Sequence, residues 1–239
     1  MKLFNTYSKL STPFIFCIVI TMFYAQSLSA QQNNVGNWLM YLGQNRISDE
    51  LSVHSEIQYR NHTVASADIE QLLLRTGINY HISSSTLSTA GYARIFSYQY
   101  GSPEKKAEKE EHRIWQQLIT THKEGRVKFE HRYRIEQRWV NSNYSNRLRY
   151  RLMLFVPINK PKIEKGTLFL GAYDEVFVNT QKVFFDRNRL YGALGYQLNK
   201  STSLQIGGLH QQVNDFGKWH LQFLIVYNPD FRKSSNDVK

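Results

Sequence analysis

A chain of 239 residues, 41% hydrophobic and 14% aromatic, has material for one sizeable all-β domain and no need of a second. Its single cysteine, Cys17, excludes a disulfide framework and a Cys-ligated metal. The formal charge of +11 would suit nucleic acid, but the arginines alternate with glutamates instead of forming a basic tail, and no RNP, helix-turn-helix or zinc-finger pattern accompanies them, so nucleic acid is excluded as a partner.

Residues 1–30 read as a secretory signal peptide. Lys2 and Lys9 form the positive region, Phe14 to Tyr24 the apolar core, and Ser27-Leu28-Ser29-Ala30 the small-residue cleavage site, so the mature chain is expected to begin near Gln31. Removing Lys2 and Lys9 leaves +9. Beyond Ala30 no apolar run approaches the roughly 18 residues of a spanning helix. A mature chain that enters a membrane must then do so as a closed barrel.

Residues 31–48 form an ambiguous N-terminal segment, VGNWLMYLG with Trp38 as its anchor, which is either an extra strand or no wall strand at all. Residues 49–228 carry the barrel pattern. In Leu51 to Arg60 apolar Leu51, Val53, Ile57 and Tyr59 alternate with Ser52, His54, Glu56, Gln58 and Arg60, the period of two of an amphipathic strand. Gln71 to Tyr80 repeats it and ends in a Ser83-Ser84-Ser85 turn. Leu87 to Phe96 alternates weakly, the polar stretch Ser97 to Glu111 makes the longest loop, and His112 to Thr121 returns.

The clearest segment is Val127 to Trp139. Val127, Phe129, Tyr133, Ile135 and Trp139 fall on one face with His131 and Gln137, while Lys128, Glu130, Arg132, Arg134, Glu136 and Arg138 make the other. Arg147, Arg149 and Arg151 repeat the charged face in the next strand, Thr167 to Phe177 carries Glu175 with a bulge expected at Asp174-Glu175, and Phe184 to Leu198 carries Arg187 and Arg189. Ser203 to Gln212 and the strand ending at Tyr227 complete ten strands, twelve being possible. A polar tail occupies 229–239.

Loops near 61–68, 97–111, 140–146, 178–183 and 213–217 are expected at one end, and mostly short turns at the other with both termini, the arrangement of an outer-membrane barrel with an even strand number. Tyr59, Trp139 and Trp219 then form one aromatic girdle on the apolar face, and Tyr80, Tyr196 and Tyr227 the other. A basic side chain in mid-bilayer costs about 2–4 kcal/mol, so the charged faces turn inward. A soluble lipocalin-like barrel, with its apolar face inside, is the competing architecture.

Glu56-x-Gln58-x-Arg60, Glu111-His112-Arg113-x-Trp115-Gln116-Gln117, His131-Arg132-x-Arg134-x-Glu136-x-Arg138, Arg147-x-Arg149-Tyr150, Asp174-Glu175-x-Phe177 and Asp186-x-Asn188-Arg189-Leu190-Tyr191 resemble an uncharacterised family of Gram-negative outer-membrane β-barrels filed as a domain of unknown function. That resemblance implies the fold and the outer membrane, and no activity. Three functions stay open: a narrow or plugged Arg/Glu lumen that is structural or binds a small anion, a narrow anion-preferring pore, and a lipid hydrolase using His112 or His220 with Ser142 or Ser145 and the carboxylates Asp174, Glu175 and Asp186. No local motif joins that last set, so no catalytic residue is assigned. The histidines lack HxH or HxxxH spacing, which leaves no metal or cofactor to expect. Outer-membrane lipid and a small anionic ligand are the expected partners.

Overall fold

The computed structural model describes residues 35–64, 68–101, 106–181 and 184–232. The expected signal peptide, the first residues after it and the tail beyond Arg232 lie outside these. Eleven strands run in chain order: β1 (Gly36–Arg46), β2 (Leu51–Asn61), β3 (Ile69–His81), β4 (Thr86–Ser97), β5 (Lys109–Glu124), β6 (Val127–Val140), β7 (Asn143–Pro157), β8 (Leu168–Asn179), β9 (Phe185–Gln197), β10 (Thr202–Val213) and β11 (Phe216–Tyr227). Each pairs with its neighbour, and the sheet closes into a barrel.

The ten strands expected from Leu51 to Tyr227 are β2 to β11, all antiparallel. The even count and the shared end for both termini are corrected. The Trp38 segment is a wall strand, β1, antiparallel to β2 but parallel to β11, with Gly36 opposite His220 and Gly43 opposite Tyr227. An odd ring can close only through one parallel pair. Consequently β1 starts at one rim, the first, and β11 finishes at the other, the second.

Two expected loops of the first rim are also corrected. The strands run through the polar residues Asn143 to Asn146, and β6 joins β7 by Asn141-Ser142 alone, both at positive φ (43° and 72°) as a tight hairpin demands. Asn214 (φ 50°) opens the similarly short β10–β11 turn. Loop length therefore distinguishes the rims less than the sequence suggests. Nor is there a bulge at Asp174-Glu175, where register runs unbroken. It lies instead between Phe177 and Val178, where Asp186 is the extra residue of β9 between the partners Phe185 and Arg187.

Alternation then sorts the side chains into two faces. Leu39, Ile57, Leu74, Ile78, Ile114, Ile135, Leu148, Leu170, Ile206 and Ile225 point outward and are exposed. Glu56, Arg75, Arg134, Glu136, Arg147, Arg149 and Glu175 point inward and are buried. Small residues make room for large ones inside: the fully buried indole of Trp115 crosses the wall at Gly77 and Gly91, where a Cβ would stand 3.0 and 2.8 Å from it. The interior also has an apolar sector, in which buried Trp38, Met153, Tyr191 and Leu209 pack with Met40, Phe155, Tyr173 and Ala193.

Candidate functional site

Three arginines of β6 and β7, Arg134, Arg147 and Arg149, meet at Glu136, which has no solvent exposure. Arg147 donates to it at 2.6 and 3.0 Å and Arg149 at 2.6 Å, while guanidinium nitrogens of Arg75, Arg113 and Arg134 stand 3.7, 3.9 and 3.9 Å away. One carboxylate thus organises five arginines from four strands. The cause is register: Glu136 lies opposite Arg147 on β7, and Arg149 is the next inward position.

Glu175 forms a second centre, accepting from Arg149 at 2.8 and 3.0 Å and from Arg132 at 2.6 Å. Glu130 takes Arg151 at 2.5 Å. The bulge of β9 turns Asp186 toward the interior, where it accepts from Arg147 at 3.1 Å and Arg187 at 2.8 Å. Arg138 shares Glu111 with Arg113. Lys128 makes no ion pair within 4 Å among the described residues, and its ammonium lies 5.6 Å from the Phe155 ring. Buried charges persist only when compensated, so each carboxylate is needed by several arginines at once.

Glu56, Arg60, Arg75, Glu111 and Arg113 are also inward and buried, Glu111 belonging to β5 and not to the loop expected over 97–111; their joining the ladder depends on packing across the interior. Arg75 reaches both Glu56 at 2.7 Å and Glu136. Trp38 and Trp115 are likewise interior, under Arg60 and Arg189 in the first case and Arg75 and Arg134 in the second.

Toward the first rim the interior opens into a cavity of about 220 Å³. Nine basic side chains and only two carboxylates, Glu70 and Glu111, line it. Arg60 and Arg189 are exceptional there: both are buried, and among the described residues neither has a carboxylate within 4 Å. Arg60 donates to Gln58 and Gln71, and Arg189 to Gln211.

The outward aromatics divide between the rims. Tyr59, Trp139 and Trp219 stand near the first-rim ends of β2, β6 and β11, and Tyr80, Tyr196 and Tyr227 near the second-rim ends of β3, β9 and β11. The two polar side chains on the apolar face of β6 have partners: Gln137 exchanges hydrogen bonds with Gln116, both 3.3 Å, and His131 meets the Tyr150 hydroxyl at 2.8 Å.

The hydrolase set does not assemble. His112 is outward, bound to the Tyr92 hydroxyl and 3.3 Å from Glu110, whereas His220 is inward beside Trp38 with neither ring nitrogen partnered among the described residues. Ser142 belongs to a turn, and Asp174 points outward to Asn188 at 2.5 Å. A serine–histidine contact that the sequence did not reveal does exist, Ser52 Oγ with His81 Nε2 at 2.8 Å. The other nitrogen of His81 faces Arg46 at 3.1 Å in place of an orienting carboxylate, and Ser52 is buried.

No curated protein and no solved structure matches the chain. One family model does, over residues 35–222, from the start of β1 into β11. That span exceeds half of the chain, and the protein belongs to the family described as Protein of unknown function (DUF2490).

Proposed function

We propose that the chain is an integral outer-membrane β-barrel whose lumen is closed by its own ion pairs and whose first-rim cavity binds a small anion. The observation carrying this reading is the inverted distribution of side chains, with large apolar residues outward and the Glu136 arginine cluster inward. Water would reward the opposite arrangement. A hydrocarbon surround suits it, because a closed barrel satisfies every backbone group and the outward aromatics near both rims suit the two bilayer interfaces. The signal-like N-terminus supports export, and membrane lipid is then the partner of the outer wall.

Closure rather than conduction follows from links that cross the interior, such as Arg75 of β3 to Glu136 of β6 and Arg189 of β9 over Trp38 of β1. Cell fractionation and planar-bilayer recording test this. The full chain is expected in the outer-membrane fraction, with heat-modifiable migration and no steady conductance. Recovery as a soluble protein would overturn the membrane reading. A conductance reduced by Arg134→Gln or Arg149→Gln would replace the closed lumen with an anion pore.

A further inference from the structure

We infer that the first-rim cavity is a site for a phosphoryl group, bound between Arg60 and Arg189 above the Trp38 indole. The inference deepens the reading of that cavity as anion-binding and rests on it. The two guanidinium carbons lie 3.9 and 4.9 Å from the centroid of the same indole, so no more than about 9 Å separates them. Both side chains are more than nine-tenths buried.

The surplus of positive charge is localised on this pair. Arg113, Arg138, Arg147, Arg149 and Arg187, which line the same cavity, each touch Glu111, Glu136, Glu175 or Asp186. Arg60 and Arg189 touch only amide oxygens and aromatic rings. Two buried like charges that share one ring call for a counter-charge close to two, delivered by a group small enough to reach both. A monocarboxylate supplies one charge. A phosphoryl group carries about −1.5 to −2 near neutral pH with three strong acceptor oxygens, and arginine forks match those oxygens.

Donors remain to receive them. Only Nε of Arg189 has a hydrogen-bond partner among the described residues. The indole Nε1 of Trp38, which lines the cavity, is buried without one. The cavity extends to the first-rim residues Ser97, Lys109 and Val140, which gives a ligand its way in.

The test is calorimetry on the full chain in detergent, titrated with inorganic phosphate and separately with mixed micelles containing phosphatidic acid or phosphatidylcholine. One phosphoryl group should bind per barrel. Arg60→Gln and Arg189→Gln should each weaken binding at least tenfold, Arg189→Lys should weaken it less, and Lys160→Gln at the second rim should leave it unchanged. Heat-modifiable migration of Arg189→Lys checks that the barrel still closes. Binding of inorganic phosphate supports the site with a soluble ligand, and binding of phosphatidic acid alone supports it with a lipid headgroup. Acetate competing as well as phosphate, or phosphate binding indifferent to both glutamine variants, overturns it. A non-conducting barrel that binds no phosphoryl compound overturns the site and leaves the closed lumen standing, whereas bilayer conductance overturns the closed lumen alone.

Discussion

Arg75 of β3 and Glu136 of β6 stand 3.7 Å apart although β4 and β5 separate their strands along the wall. A contact that skips two strands must pass through the interior, so Glu136 is a hub of the whole ring and not a partner of its neighbours alone. Replacing it by glutamine leaves five arginines around a neutral amide. Glu136→Gln is expected to cost about 3–5 kcal/mol, the range for breaking a buried pair from one side. Urea unfolding in detergent micelles would measure it, and a loss below about 1 kcal/mol would mean that water screens the cluster.

Glycines on the two faces of the wall should divide sharply, Gly91 facing inward and Gly192 outward. At Gly91 a Cβ would fall 2.2 Å from the Thr76 carbonyl oxygen and 2.8 Å from both Gly77 Cα and the Trp115 ring, whereas at Gly192 it meets nothing within 4 Å. Gly91→Ala should destabilise by about 1–3 kcal/mol through overpacking. Gly192→Ala should be neutral or stabilise by up to about 1 kcal/mol by restricting the unfolded chain. Equal effects of the two on the unfolding midpoint would contradict the close packing of β3, β4 and Trp115.

Leu148 points outward from the middle of β7, opposite Ile135. Leu148→Lys should cost about 2–4 kcal/mol when the barrel folds into phosphatidylcholine vesicles, the expense of a basic side chain in mid-bilayer. An unchanged folding free energy would place this wall outside hydrocarbon.

The parallel seam makes a covalent prediction. Leu39 and Phe223 are register partners on β1 and β11, and both side chains are exposed on the outer wall. Leu39→Cys with Phe223→Cys should oxidise to a disulfide, seen as faster migration of the unfolded chain without reductant. Free thiols under the same oxidation would contradict this closure.

Beyond β11, Arg232 donates to Asp230 and to Asp49, while Phe231 donates its N–H to the Arg46 carbonyl at 2.9 Å. The Arg232 hydrogen bonds hold the Asp230 carboxyl at about 2, down from 3.8. A lowered folded value means that the attachment is complete above about pH 4 and is lost as pH falls through about 2. The Phe231 amide NMR signal should move over that window, and Asp230→Asn should abolish the movement.

Strands β2, β3, β6, β7 and β9 were legible because charged side chains mark one of their faces. Strand β1 was not, since its inward residues Trp38 and Met40 join the apolar sector and leave both of its faces hydrophobic, which erases the period of two. The weak alternation of β4 has the same source in inward Leu87, Ala93 and Ile95. The grouping of arginines around Glu136 depends on chords across the ring, which no single strand records. Polar strand ends such as Asn143 to Asn146 imitate a loop, and the extra residue Asp186 has no local signature.

The odd ring also sets an address for each end of the barrel. Val35 emerges at the first rim, hydrogen-bonded to the Val64 amide, while Pro229 lies at the second, against Arg46. In a barrel that spans a membrane, a reporter fused ahead of β1 and another fused after β11 would report from opposite compartments, and only the one ahead of β1 would share its side with the arginine cavity.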